Sequence, residues 1–152
     1  SDRSRYNAVM RRSAAGSLRV LSIVMGAFLV LMALSKTGWM SDSGPLTDEL
    51  WGWSESAPAL SRWYLNTVAI PGAPVFARLV PLGEFLTGVA LLVGFRVRLA
   101  ATVAVLMVLN FHFAMGILFQ VAYLTNGYGP PVVGSLAALA LGPARLPFSV
   151  RP

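Results

Sequence analysis

Long apolar stretches alternate with short polar connections along this chain, and four of the stretches approach the length of a membrane-spanning helix. They cover residues 16–36, 74–95, 99–119 and 127–144. A helix needs about 20 mainly apolar residues to cross the hydrocarbon core of a bilayer. The fourth stretch is the shortest, and its prolines limit the regular helix that it can form. The pattern predicts an all-α fold with a single membrane domain over residues 1–152, built as a four-transmembrane-helix bundle.

Residues 37–73 form one long connection between the first two stretches. They contain all four tryptophans of the chain, and tryptophan prefers the boundary between membrane and water. Apolar residues recur there at helical spacing, opposite acidic ones. We expect amphipathic helices on the outer leaflet, one with Thr47 as its N-cap and a second from Pro58 to about Ala69. Covering helix ends, docking a partner subunit and closing over a lipid-soluble ligand all remain open as roles for this connection.

Composition also indicates a membrane location. The chain has 152 residues, is 56% hydrophobic and 12% charged, and has a mean hydropathy of +0.67, whereas soluble domains carry about 25% charged residues. The basic N-terminal stretch leads directly into the first apolar stretch without an evident small-residue cleavage site. We therefore expect that stretch to remain in the membrane rather than act as a cleaved signal peptide. The lipid bilayer is an expected partner, and we expect bound lipid.

The distribution of basic residues predicts a direction for the spans. Nine of the twelve basic residues lie in three places: before or just inside the first apolar stretch, between the second and third stretches, and after the fourth stretch. The positive-inside rule then predicts a multi-pass protein of a bacterial-type inner (cytoplasmic) membrane, with both termini cytoplasmic. The same excess favours contact with anionic lipid headgroups. We expect no nucleic-acid partner, because these residues form none of the recognised nucleic-acid-binding motifs.

The chain contains no cysteine and a single histidine, His112. The lack of cysteine excludes disulfides, thiol chemistry, iron–sulfur ligation and covalent haem attachment within the chain. One imidazole cannot provide both axial ligands of a bis-histidine haem. We accordingly expect neither a metal site nor a covalently bound cofactor.

Three polar side chains interrupt the second and third apolar stretches. From the rise of a helix, Glu84 and Asn110 stand ~18 Å and His112 ~21 Å from the cytoplasmic edge. They therefore share one level in the outer half of the membrane. Because successive residues turn by ~100°, Asn110 and His112 point to nearly opposite faces, and only one is expected to face Glu84.

A stripe of small residues runs beside the acid: Gly83, Thr87, Ala90 and Gly94. Small residues let helices approach closely in lipid. We therefore expect the second span to pack inside the bundle, which keeps Glu84 away from lipid.

An ionised carboxylate in hydrocarbon costs roughly several kcal/mol unless a partner stabilises it. Two structural roles for Glu84 would provide such a partner. It can hydrogen-bond His112, Asn110 or a backbone group at a helix end. Alternatively it can form an ion pair with a base near the outer boundary, either Arg78 or Lys36, whose long side chains reach inward.

A quinone or proton site is the third possibility. In it Glu84 and His112 are the candidate catalytic residues and share a proton, while Asn110 and Thr87 join them as candidate quinone-binding residues. A quinone headgroup needs a hydrogen-bond donor, an acceptor and an apolar slot for its tail.

The chain resembles the DoxX/DoxD-like integral membrane proteins. The motifs are "GAFLVLMALSK" in the first span, "LVPLGEFLTGVALLVGFRVRLAA" across the second and third, and "NFHFAMG" followed by "YLTNG". They are distributed over residues 16–142. The resemblance implies a four-helix membrane bundle, with the intramembrane acid of the family at Glu84 and its Asn-Gly turn at Asn126 and Gly127.

The resemblance also implies a redox context. Some members of this family are small subunits of thiosulfate:quinone oxidoreductase, and others associate with redox or oxidative-stress partners. We do not infer thiosulfate as a substrate, because the basic residues of the external connection are few and are outnumbered by acids.

Three functions are therefore compared. The first is a membrane subunit of a quinone-linked redox complex, with a quinone site near the outer leaflet and other membrane subunits as partners. As an enzyme it is at most an oxidoreductase subunit, since a partner chain must carry the redox cofactors. The second is a non-catalytic accessory subunit of a larger bioenergetic complex. The third, a small transporter, has the weakest support, because the chain has no evident inverted repeat.

Overall fold

Helices form nearly all of the regular structure. The computed structural model describes residues 2–150, apart from the side chains of residues 2, 3 and 11, and it contains no strand in that range. The six α-helices are α1 (Asp2–Ser35), α2 (Gly44–Ser56), α3 (Ala59–Tyr64), α4 (Ala73–Val93), α5 (Val97–Ala114) and α6 (Pro130–Leu141). The all-α prediction is confirmed for the described residues.

Three of these helices are long and apolar enough to cross a membrane: the Ser4–Ser35 part of α1, α4 and α5. Their outer faces carry exposed leucines, among them Leu31, Leu86 and Leu106, as expected of helices surrounded by lipid. Length, apolarity and composition together indicate a membrane protein. The fourth helix, α6, is apolar but has only 12 residues, which corresponds to ~18 Å.

The third apolar stretch does not form one helix to residue 119 as predicted. Helix α5 ends at Ala114, and Gly116 follows in the left-handed conformation with φ 73°. Short 3-10 turns then cover Ile117–Phe119 and Val121–Thr125. The left-handed glycine ends the helix because continued right-handed backbone needs negative φ.

Helix α1 packs most extensively against α4, and α5 packs against both α6 and α4. The closest approach of α1 and α4 lies at Gly26 and Gly88. A methyl group built on Gly88 would lie 2.9 Å from the carbonyl oxygen of Gly26 and 2.9 Å from the backbone nitrogen of Val30. This contact is adjacent to the predicted small-residue stripe, and it packs one face of α4 against α1. Leu82 and Leu86, elsewhere on α4, are exposed, so α4 is not more deeply placed than its neighbours.

Two apolar cores follow from this packing. One joins the long helices with α6, and its buried side chains include Leu29, Leu91, Ala101, Leu136 and Leu139. The other joins the connection between α1 and α4 to the ends of α4 and α5, and includes Trp39, Leu46, Leu50, Leu65, Ala73, Ala77 and Ala114. The connection is thus folded onto the bundle and roofs one end of it.

Within the connection, the predicted helix from Pro58 to about Ala69 is confirmed as α3 followed by a π-helical turn, Leu65–Ala69. The prediction that Thr47 is an N-cap is wrong. Helix α2 begins earlier, at Gly44 with Pro45 in its first turn, and the Thr47 hydroxyl donates to the carbonyl of Ser43. Proline suits a first turn because the amide that it lacks has no partner within the helix.

The opposite end of the bundle is held by a buried arginine. The guanidinium of Arg19 donates to the carbonyls of Leu91, Leu92 and Phe148 at 3.0, 2.8 and 3.2 Å. The first two carbonyls belong to the last turn of α4, where backbone acceptors have no partner within the helix. Arg19, one of the nine basic residues from which the orientation of the spans is predicted, therefore also ties α1 to the end of α4 and to the C-terminal segment.

Candidate functional site

A cavity of about 460 Å³ lies at the roofed end of the bundle. It is a half-open space bordered by α1, α2, α4, α5 and the start of α6. Its polar lining comprises Ser35, Lys36, Glu49, Glu84, His112 and Asn126, and its aromatic lining comprises Phe28, Trp39, Trp53, Phe111 and Tyr128. This volume and this mixture of rings with few polar groups are typical of small-molecule sites.

Glu84 is buried, and its partner is Lys36. The ammonium of Lys36 lies 2.9 Å from each carboxylate oxygen of Glu84. The ammonium also donates to the carbonyl of Met32 at 3.3 Å and lies 5.9 Å from the ring centroid of Trp39. Of the alternatives for Glu84, the structure therefore contains the ion pair with Lys36. Arg78 is exposed and donates to the carbonyl of Pro74 on its own helix.

His112 lines the same cavity and is also buried. Its Nδ1 lies 2.9 Å from the hydroxyl of Tyr123, and the two rings meet edge to face at 5.4 Å. Tyr123 belongs to the turn after α5, and partial burial raises the pKa of its phenol above the usual value. Glu84 and His112 thus line the same cavity and are both buried, although no hydrogen bond joins them in the described structure.

Asn110 and Thr87 lie outside this cavity. The side chain of Asn110 is exposed, and its Oδ1 accepts a hydrogen bond from the Tyr64 hydroxyl at 2.8 Å. The Thr87 hydroxyl donates to the carbonyls of Gly83 and Glu84 at 2.7 and 3.2 Å. The expectation that Asn110 and His112 point to different faces is confirmed, but neither Asn110 nor Thr87 lines the space beside Glu84.

Sequence reasoning did not include Glu49 and Asn126 among the candidate site residues. Glu49 is exposed on α2 and borders the cavity from its roof. Asn126 is the first residue of the Asn-Gly turn, and its Oδ1 accepts from the backbone amide of Tyr128 at 2.9 Å. The turn motif was a usable signal for Asn126, whereas Glu49 had none, because only the folding of α2 over the bundle brings it to the site.

The arrangement combines hydrogen-bond donors with proton-accepting groups. Lys36 and the amide of Asn126 can donate to a ligand carbonyl, and His112 can donate or accept according to its tautomer. The Glu84 carboxylate accepts only, and Glu49, which lines the same cavity, is exposed. No group of three or more His, Cys, Asp and Glu side chains with metal-binding geometry occurs in residues 2–150.

Comparison with protein-family models, with curated proteins and with solved structures finds no match to this chain.

Proposed function

We propose that the chain is a small integral-membrane subunit of a quinone-linked redox complex of the DoxX/DoxD-like kind, and that its roofed cavity receives a quinone headgroup. The observation that carries the proposal is the placement of Glu84, Lys36 and His112 around one cavity of about 460 Å³ lined by aromatic rings. Rings suit a planar headgroup, and charged or neutral donors suit its two carbonyl oxygens.

The proposed reaction at this site is reduction of a quinone by two electrons and two protons to a quinol. A partner chain delivers the electrons from its own redox cofactor, because this chain has no cysteine and one histidine. Lys36 and His112 donate hydrogen bonds to the two headgroup oxygens, and both protons of the quinol reach these oxygens from the outside, one after the other, by way of Glu49 and Glu84. General acid–base transfer of this kind requires groups within hydrogen-bond reach of the reacting oxygen.

We further propose four membrane crossings, with both termini on the cytoplasmic side of a bacterial-type inner membrane. Support comes from α6, whose first turn borders the roofed cavity through Val132, while the segment after it, at Ala144–Leu146, borders a second cavity at the other end of α4. The basic residues concentrate at that second end, as the positive-inside rule requires.

The absence of native cysteine makes this topology testable by single-cysteine labelling. Separate variants replace Gly52 and Gly127 by Cys, because an added Cβ meets nothing within 4 Å at either position. A third variant, Ser13→Cys, reports on the cytoplasmic side of the membrane. A membrane-impermeant maleimide should label the first two in intact spheroplasts and Ser13→Cys only after permeabilisation. The reverse pattern, or labelling of all three, would refute the orientation.

Quinone binding is tested with the purified chain and a short-chain benzoquinone. In a background of Trp51→Phe and Trp63→Phe, which removes two exposed indoles, Trp39 and Trp53 remain as reporters in the cavity wall. We expect saturable quenching of their fluorescence. Because one hydrogen bond from a charged donor contributes about 1.5 kcal/mol or more, Lys36→Met should weaken binding, raising the dissociation constant by about tenfold.

The matched control is Arg78→Met, which removes an exposed base of α4 away from the cavity lining. It should leave the dissociation constant unchanged. Quenching that rises linearly with quinone concentration, or that responds equally to both variants, would mean that the cavity is not the binding site.

A non-catalytic accessory role is the second candidate, and one observation favours it. Both oxygens of Glu84 are already occupied by Lys36, so the acid can serve to lock α1 to α4 without reacting. Glu84→Gln in the assembled complex separates the two functions. Retained assembly with lost quinone reduction supports the redox subunit, whereas unchanged turnover with weakened co-purification of partner chains supports the accessory subunit.

A further inference from the structure

A second cavity, of about 510 Å³, lies at the end of the bundle away from Glu84 and Lys36. It is formed where α4 ends, α5 begins and the chain leaves α6. Three arginines line it, Arg96, Arg98 and Arg145, together with the apolar residues Leu99 and Val150. Nothing in the proposed quinone chemistry uses these residues.

The electrostatic environment of this cavity is strongly positive. No Asp or Glu occurs in the chain after Glu84, and Glu84 is nine residues before the end of α4 at Val93, or ~14 Å along the helix axis. Within the part of the chain that the structure describes, the guanidinium groups of Arg96 and Arg145 form no hydrogen bond or ion pair, and Arg98 donates only to the carbonyl of Ala140, at 3.3 Å. Three cationic groups therefore line one cavity, and no acidic side chain among the described residues pairs with them.

Two further features favour an anion there. Arg96 is the N-cap of α5, with φ 42°, so the cavity adjoins the positive end of an 18-residue helix with no acid in its first turn. The hydroxyl of Ser149, in the cavity wall, is buried and has no hydrogen-bond partner among the described residues. Buried polar groups in native proteins nearly always have a partner.

The apolar part of the lining indicates the kind of anion. Leu99 and Val150 are 56% and 57% exposed, and both lie at the edge of the arginine-lined cavity. A ligand that contacts all of these groups has a phosphate next to a hydrocarbon chain. We propose that this cavity binds the phosphate of an anionic phospholipid headgroup, with Arg96, Arg98 and Arg145 as its ligands and the acyl chains against α5.

The test measures lipid binding to the purified chain by native mass spectrometry in a nonionic detergent. Phosphatidylglycerol, phosphatidylcholine and inorganic phosphate are titrated separately. We expect phosphatidylglycerol to bind at least tenfold more tightly than phosphatidylcholine. The variant Arg96→Gln/Arg145→Gln should weaken phosphatidylglycerol binding by about 25-fold, since each basic residue near an anionic lipid contributes about fivefold.

The matched control is Arg5→Gln/Arg12→Gln, which removes two exposed charges of α1 on the same side of the protein. It should change binding by no more than about twofold. Arg96→Lys/Arg145→Lys keeps the charge and should retain most of the affinity, which separates a ligand role from a folding defect. These variants leave Arg98 and its contact with α6 intact.

Two sources of phosphate are distinguished by the titrations. Specific phosphatidylglycerol binding that inorganic phosphate does not displace supports a lipid ligand. Displacement by millimolar inorganic phosphate supports the same anion site with a free phosphate ligand and overturns the lipid assignment. Equal binding of the two lipids, or equal loss in the pocket and control variants, would overturn the site itself.

Discussion

The ion pair between Lys36 and Glu84 offers the sharpest energetic test of the structure. Their nearest nitrogen–oxygen distance is 2.9 Å, and the two side chains are only 13% and 10% exposed. Coulomb's law with an effective dielectric constant of about 20 gives an attraction of about 6 kcal/mol at this distance. Desolvation of both ions offsets much of that gain, but loss of one partner leaves the other charge buried and alone, which costs about 3–5 kcal/mol.

We therefore expect Lys36→Met to destabilise the protein by about 3 kcal/mol, the lower end of that range because the cavity leaves the pair partly solvated. Glu84→Gln should cost about 2 kcal/mol, since its amide oxygen can still accept from the ammonium. The double variant removes both charges, so it should be more stable than the sum of the single effects predicts by about 2 kcal/mol.

The assay is unfolding by sodium dodecyl sulfate in mixed micelles, followed by tryptophan fluorescence. Arg78→Met is the matched control, because it removes an exposed base on the same helix as Glu84, and it should change stability by less than about 0.5 kcal/mol. Strict additivity of the two single variants, or a Lys36→Met effect no larger than that of the control, would refute the energetic coupling of the pair.

Three further predictions follow from the packing. Gly88→Ala should destabilise the protein by about 1–3 kcal/mol, because the added methyl group overpacks against the backbone of α1. Gly134→Ala should instead stabilise α6 by about 0.5–1 kcal/mol, since an added Cβ there meets nothing within 4 Å. Equal effects of the two variants in the detergent titration would contradict the contact between α1 and α4. Arg19→Met removes three hydrogen bonds to carbonyls, so it should destabilise the protein by about 3 kcal/mol and expose the C-terminal segment to carboxypeptidase. The control variant Arg12→Met should change neither the stability nor the rate of carboxypeptidase cleavage. Since burial raises the pKa of Tyr123, the folded state holds that proton more strongly and stability should fall as pH rises above about 10. Tyr123→Phe should reduce this fall, and identical pH profiles would show that the phenol is not responsible.

The sequence determined the helices because each depends on local properties. Apolar length placed both bounds of α4, the end of α1 and the start of α5 within two residues of those observed, but α1 begins at Asp2 rather than at residue 16. Proline and glycine marked several helix ends. It erred where backbone conformation overrides composition. Apolar residues continue to Phe119, but the left-handed Gly116 ends α5 earlier, and Pro45 starts α2 ahead of the polar residue Thr47, which composition favoured as the cap.

The site shows the same division between local and long-range information. The sequence alone determined that an acid in an apolar stretch needs a partner, and helical rise alone placed Glu84 near the level of His112. The tertiary structure decided which partner it has: Lys36, 48 residues away, reaches the acid because α1 and α4 meet closely at Gly26 and Gly88. Which side chains face one another depends on the rotation and separation of packed helices, and those are set jointly by contacts between segments far apart in the chain rather than by any one segment.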